Sequence, residues 1–142
     1  MTKELKIGIT QSGIKHAAGD PDPDLETQFK MVKESGVYDY LDKTPAESDV
    51  EEYLRCSDKY DVPVCAGGWF YTLGKDEELL EKNIRIGARL GSNAHNTQIG
   101  TYHADGHMVT NEEVADCYMR VCELGESLGC LPTFEIHVNM WS

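Results

Sequence analysis

Glu135 and His137 stand two residues apart in Thr133-Phe134-Glu135-Ile136-His137-Val138-Asn139, a stretch that alternates strictly between polar and apolar residues. A strand turns successive side chains to opposite faces, so Phe134, Ile136 and Val138 share one face and Thr133, Glu135, His137 and Asn139 the other. The polar face has the residue types for proton and cation chemistry. A carboxylate is a hard donor for a divalent cation. An imidazole titrates near neutrality, so His137 suits a general acid or base or a second ligand. An unpaired charge inside a covered sheet is costly, and Glu135 is therefore expected to face a metal ion, an Arg or Lys, or a proton. The plainer readings are a Glu135 in an ion pair or at an exposed strand end, and a neutral, hydrogen-bonded His137.

Further candidates stand where strands are expected to end. His103 follows a fourth strand and is expected beside Glu135, touching substrate or a second metal; the alternative is a solvent-exposed loop histidine. Trp69, Phe70 and Tyr71 follow a third strand. Flat rings there suit stacking on a sugar or an aromatic group, and equally suit capping of a core. Gln11 and Asp42, at the ends of the first and second strands, are polar substrate-binding candidates. Gly67-Gly68 reads as a turn, and His16 and His107 as loop residues with no evident partner.

The elements that position these residues follow from periodicity. Strands are expected over Leu5–Thr10, Val37–Asp42, Val62–Ala66, Asn96–Thr101 and the stretch around Glu135. Gln11–Asp22, rich in Gly and Asp, reads as a loop. Helix one runs from about Pro23 or Asp24 to Ser35, with Leu25, Phe29 and Val32 inward and Gly36 as its stop. Ser48-Asp49-Val50-Glu51 has the form of a capping box for a second helix reaching Tyr60. Helix three spans about Asp76 to Leu90. A second capping box, Thr110-Asn111-Glu112-Glu113, opens helix four, whose apolar stripe is Val114, Cys117, Val121, Leu124 and Leu128. Strands alternating with helices, without a hairpin signal, predict a parallel α/β sheet. Either an open doubly wound sheet or part of a (β/α)8 barrel fits. The glycine-rich phosphate loops are missing after strand one, which weighs against nucleotide binding. An open five-stranded sheet is complete at 142 residues. A full barrel needs about 250.

Thirteen Lys and Arg against 25 Asp and Glu give a net charge of −12, which argues against a nucleic acid or an anionic membrane as partner. Hydrophobic residues at 40% and charged ones at 27% are ordinary for a folded domain. The five cysteines are irregularly spaced and read as free thiols in a reducing, cytoplasmic setting. Residues 1–5 lack the apolar run of a signal peptide, and no stretch approaches the roughly 20 apolar residues of a membrane span.

Taken in order, Lys6-Ile7-Gly8-Ile9, Gly91-Ser92-Asn93, Ile99-Gly100-Thr101 and Phe134-Glu135-Ile136-His137 resemble the xylose-isomerase-like barrel superfamily of sugar isomerases, epimerases and related metal enzymes. The resemblance covers nearly the whole chain. It implies one partial TIM-type barrel domain over residues 1–142, with about five of the eight β/α units. It also implies Glu135 as ligand to a divalent metal, most expectedly Mn2+, with Mg2+, Zn2+ or Co2+ as alternatives. The family's other ligands lie on strands six to eight. Glu-x-His followed by Asn-Met-Trp is most similar to the large subunit of bacterial C-glycoside deglycosidases. Those enzymes work with a small second subunit and cleave the carbon–carbon bond of a 3-oxo-C-glycoside with a metal and a His base.

The expectations that follow are a metal-dependent lyase or isomerase acting on a sugar or glycoside, by proton transfer beside a metal-bound oxygen. His137 and His103 would be catalytic, and Gln11, Asp42, Trp69 and Phe70 would bind substrate. A second protein chain or an oligomer would complete the site. The alternatives are a sugar (phosphate) isomerase or epimerase, and a non-catalytic half-barrel assembly module whose open edges pair with another chain. An apurinic endonuclease would need a basic groove, which the charge disfavours.

Overall fold

The computed structural model describes residues 5–16 and 18–141; residues 1–4, read above for a leader, lie outside them. Five strands form one sheet in the order β1-β2-β3-β4-β5, every neighbouring pair parallel. They are β1 (Gly8–Thr10), β2 (Tyr40–Asp42), β3 (Val64–Tyr71), β4 (Ala94–Ile99) and β5 (Leu131–Phe134). The helices between them are α1 (Leu25–Ser35), α2 (Val50–Tyr60), α3 (Glu77–Arg89) and α4 (Asn111–Leu128). Strand order equal to chain order, with a helix in each crossover, is the winding of a (β/α) barrel wall. A doubly wound sheet reverses direction part-way.

The helices bury one face of the sheet. Phe29, Leu41 and Val50 are fully buried in one apolar cluster that includes α1 and α2; Leu80, Ile84, Ile99 and Val121 are fully buried in a second that includes α3 and α4. Each such side chain stabilises the fold by about 1.5–3 kcal/mol before entropy is counted. Asp24 caps α1 by accepting from the Thr27 amide, and Gly36 and Gly129 close α1 and α4 in the left-handed region. The Thr110/Glu113 capping box forms completely. The Ser48 box does not. Glu47–Asp49 is a 3-10 turn running straight into α2, and the Ser48 hydroxyl donates to Asp49 Oδ1 at 2.8 Å instead of accepting from the helix.

Two strands differ in length from the sequence expectation. β3 runs on through Gly67-Gly68 to Tyr71, so those glycines are not a turn. They carry a bulge: Ala66 pairs with His95 but Trp69 with Thr97, three residues against two. β5 ends at Phe134, with one more ladder bond from the Glu135 amide to Thr97 O at 2.9 Å. The alternation beyond it is not used. Ile136 and Val138 are 71% and 77% exposed, and the chain turns back so that the Trp141 amide bonds Ile99 O. All five cysteines are free. No helix is long and apolar enough to cross a membrane among the described residues.

Candidate functional site

β4 carries two sets of polar side chains on opposite faces. Asn96 and Gln98 point away from the helices and hold Glu135 from the neighbouring strand: Asn96 Nδ2 and Gln98 Nε2 both donate to Glu135 Oε2, at 2.6 and 2.8 Å. These bonds hold the Glu135 carboxyl below its ordinary range, Gln98 most and Asn96 next. Among the described residues, no group donates to Oε1. Phe70 pairs in register with Gln98 on the same face, is 55% exposed, and meets the His137 ring edge-on at a centroid distance of 6.4 Å. Glu135, Asn96, Gln98, Phe70 and His137 thus form one open site at the carboxyl end of the sheet.

The donor set fits a divalent cation as a partial site. Glu135 offers one free carboxylate oxygen, pre-oriented by two amides that would act as supporting partners. Among the described residues, Gln98 Oε1 is buried beside it without a hydrogen-bond partner. An orphaned acceptor is costly unless a donor arrives, and a substrate hydroxyl or a cation-bound water would supply one. One carboxylate is still only a fraction of the six or more oxygens a hard cation takes.

The other candidates separate into two places. Gln11, Asp42 and Trp69 line a groove of about 210 Å³ at the ends of β1 to β3, together with Gly67 and Gly68. A Cβ on Gly67 would stand 2.5 Å from Asp42 Oδ1, so glycine is what lets the two strands share this corner. Burial pushes the Asp42 carboxyl up. The Gln11 amide is engaged from below: its Nε2 donates to Gln28 Oε1, and its Oε1 accepts from the Tyr53 hydroxyl, each at 2.8 Å. His103 belongs to a short turn after β4, stacked on His107 at 4.6 Å and paired with Asp105. Among the described residues it bonds to none of the groups around Glu135.

Sequence reasoning missed His95. It is fully buried on the helix-facing side of β4, and its bonds assign its tautomer. Thr44 Oγ1 donates to Gly67 O, so it accepts from His95 Nδ1–H at 3.3 Å. Tyr71 OH accepts from Asn83 Nδ2, so it donates to His95 Nε2 at 2.6 Å. Burial depresses the imidazole pKa to about 4 and pushes the Tyr71 phenol up. This is a closed, neutral network. The signal for it was faint: a histidine just before an expected strand, between Ala94 and Asn96, with no large apolar neighbour to mark a core position.

Solved structures share this architecture. A D-allulose 3-epimerase from a Methylomonas species superimposes with a TM-score of 0.70 at 15% identity, over 98% of this chain and 54% of its own. A 3-keto-D-glucoside 4-epimerase from E. coli gives 0.67 at 14% identity, over 96% and 58%. A 3-dehydroquinate dehydratase from Geobacillus kaustophilus gives 0.54 at 17%, over 91% and 49%. The fold is that of a (β/α) barrel, in part. The chain spans about half the length of these proteins. No protein-family profile matches the sequence, and no curated protein matches it.

Proposed function

We propose that this barrel segment carries part of the active site of a divalent-metal sugar isomerase or epimerase, with Glu135 as a metal ligand and His137 as the proton-transfer group. The observation that carries the reading is Glu135 itself. It is a carboxylate at the carboxyl end of a barrel strand, fixed by Asn96 and Gln98 through one oxygen while the other is open. A divalent ion there, Mn2+ before Mg2+, Zn2+ or Co2+, supplies positive charge that acidifies the C–H beside a sugar carbonyl.

His137 then takes and returns that proton from the exposed side. Phe70 covers an apolar face of the sugar, and Gln98 Oε1 accepts from a sugar hydroxyl. The groove of Gln11, Asp42 and Trp69 extends the binding surface. Several structurally similar proteins are named for sugar epimerisation, which supports isomerisation or epimerisation over C–C bond cleavage of a C-glycoside. The remaining ligands and the facing wall come from a second protein chain or further residues of the same protein.

The test is exchange of solvent deuterium into a ketohexose panel with Mn2+ present. It compares the wild type with Glu135→Gln and His137→Ala, each in the assembly that carries the remaining ligands and facing wall, and manganese content is measured on each. Glu135→Gln loses metal and exchange together. His137→Ala keeps the metal and loses exchange by about 100-fold or more, the usual scale of a positioned acid–base group. A Glu135→Gln protein with normal metal and normal exchange defeats the reading.

A further inference from the structure

The turn after β4 carries a constellation that the site around Glu135 does not use. His103-Ala104-Asp105-Gly106-His107 is a tight hairpin closed by His103 N to His107 O and Gly106 N to His103 O, each at 2.9 Å. Gly106, at φ +95, takes the left-handed position that such a turn requires. The closure sets His103 and His107 directly opposite each other, so their rings stack on one side. Asp105 Oδ1 lies between them, 3.2 Å from His103 Nδ1 and 2.5 Å from His107 Nδ1. Two imidazole nitrogens and one carboxylate oxygen all lie within 4.8 Å of one another.

The surroundings hold these three in place. Glu113 Oε2 is occupied by the α4 capping box, which leaves Oε1 to accept from His107 Nε2 at 2.8 Å. A carboxylate that fixes the far nitrogen of a histidine, leaving the near one for a cation, is the usual support of a metal-bound imidazole. A Cβ on Gly74 would collide with the His103 ring, so the glycine makes the seat for that ring. We propose that His103, Asp105 and His107 form a site for a borderline divalent ion of the zinc type, separate from Glu135 and independent of the function proposed above.

Metal–ligand bonds near 2.0–2.1 Å in a tetrahedron place ligand atoms about 3.3 Å apart. The His103–Asp105 spacing already meets this, and the Asp105–His107 pair opens by roughly 1 Å as the ion replaces the proton on Nδ1. Nitrogen-rich ligation selects zinc-like ions over magnesium or calcium. The fourth position is open to water, because Asp105 and His107 are exposed.

The experiment is calorimetric titration of the full chain with Zn2+, in a Glu135→Gln background so that the other site is silent. His ring NMR signals and Co2+ absorption are followed in parallel. The expected result is one Zn2+ per chain, with the His103 and His107 ring signals moving and that of buried His95 staying still. His107→Ala and Asp105→Asn abolish the binding, and Glu113→Ala weakens it by about 10- to 100-fold. Circular dichroism checks that these exposed-site variants stay folded. No zinc bound, zinc bound equally by all variants, or ring signals that move only elsewhere overturns the proposal.

Discussion

His95 and Glu135 meet β4 from opposite faces, and the strand treats the two titratable groups in opposite ways. On the helix side, every polar atom that His95 touches already has its proton assigned, from the Asn83 amide through Tyr71 and the imidazole to Thr44 and Gly67 O. Nothing further can bind there without breaking a bond. On the open side, Asn96 and Gln98 use their donors on one oxygen of Glu135; among the described residues Glu135 Oε1 has no protein donor, and Gln98 Oε1 is buried without a partner. The closed face trades binding capacity for stability. The open face keeps one buried acceptor, Gln98 Oε1, without a donor, a cost of the kind that functional sites carry.

The bulge in β3 is what lets the two faces differ. One extra residue between Ala66 and Trp69 turns Tyr71 toward His95 and leaves Phe70 facing the Glu135 side. Inserting one alanine between Trp69 and Phe70 shifts the strand beyond the bulge by one position and swaps the faces of Phe70 and Tyr71. The largest predicted effect follows: loss of the Tyr71–His95 pair and burial of mispaired groups, worth about 4 kcal/mol or more. Urea denaturation measures it. An insertion that folds with near-normal stability would show that the faces of Phe70 and Tyr71 are not fixed by the register beyond the bulge.

The next effect is on the closed network alone. His95→Ala leaves the Tyr71 and Thr44 hydroxyls without their partner around a cavity, at a cost of about 3–4 kcal/mol. The wild type should also lose stability on acidification. The folded protein protonates His95 only near pH 4, whereas the unfolded chain does so near 6.5, so the unfolded state binds more protons between those values. Stability therefore falls as pH drops through that window, by roughly 3 kcal/mol in all. His95→Ala abolishes this slope. A slope that survives the substitution belongs to other groups.

How far the sequence carried the reading depends on which physical signal each part emits. The β/α alternation and the Thr110/Glu113 box were legible because helix periodicity and capping are local. The Ser48 box has the same pattern, yet a 3-10 turn ahead of α2 takes its place. Gly67-Gly68 reads as a turn because a bulge is defined by the partner strand, which the sequence does not display. Glu135 was visible as a polar residue in an alternating run, while its holders Asn96 and Gln98 became meaningful only across the β4–β5 ladder. The run itself over-read the strand beyond Phe134. His103 was picked singly. Its pairing with His107 needed the turn closed by Gly106, although Asp105-Gly106 was a hairpin signal in plain view.

The smallest effect tests the comparison most sharply. Gln98→Leu keeps the approximate volume, removes the orphaned oxygen and releases one of the two bonds to Glu135. Replacing an incompletely satisfied buried amide by an apolar group of similar shape is nearly neutral, so the change in stability should stay within about 1 kcal/mol. The Glu135 carboxyl, held down first by Gln98, should move back up toward 4.5, as an NMR titration of its side-chain carbon would show. Since its depressed value makes the Gln98 bond a contribution present above about 4.5 and lost as pH falls, the variant should also be less sensitive to acid in that range. Manganese affinity should drop by about 10-fold or more, as expected when a ligand loses its support. A large loss of stability with unchanged metal affinity would make Gln98 a structural residue, and the open face would then be no different in kind from the closed one.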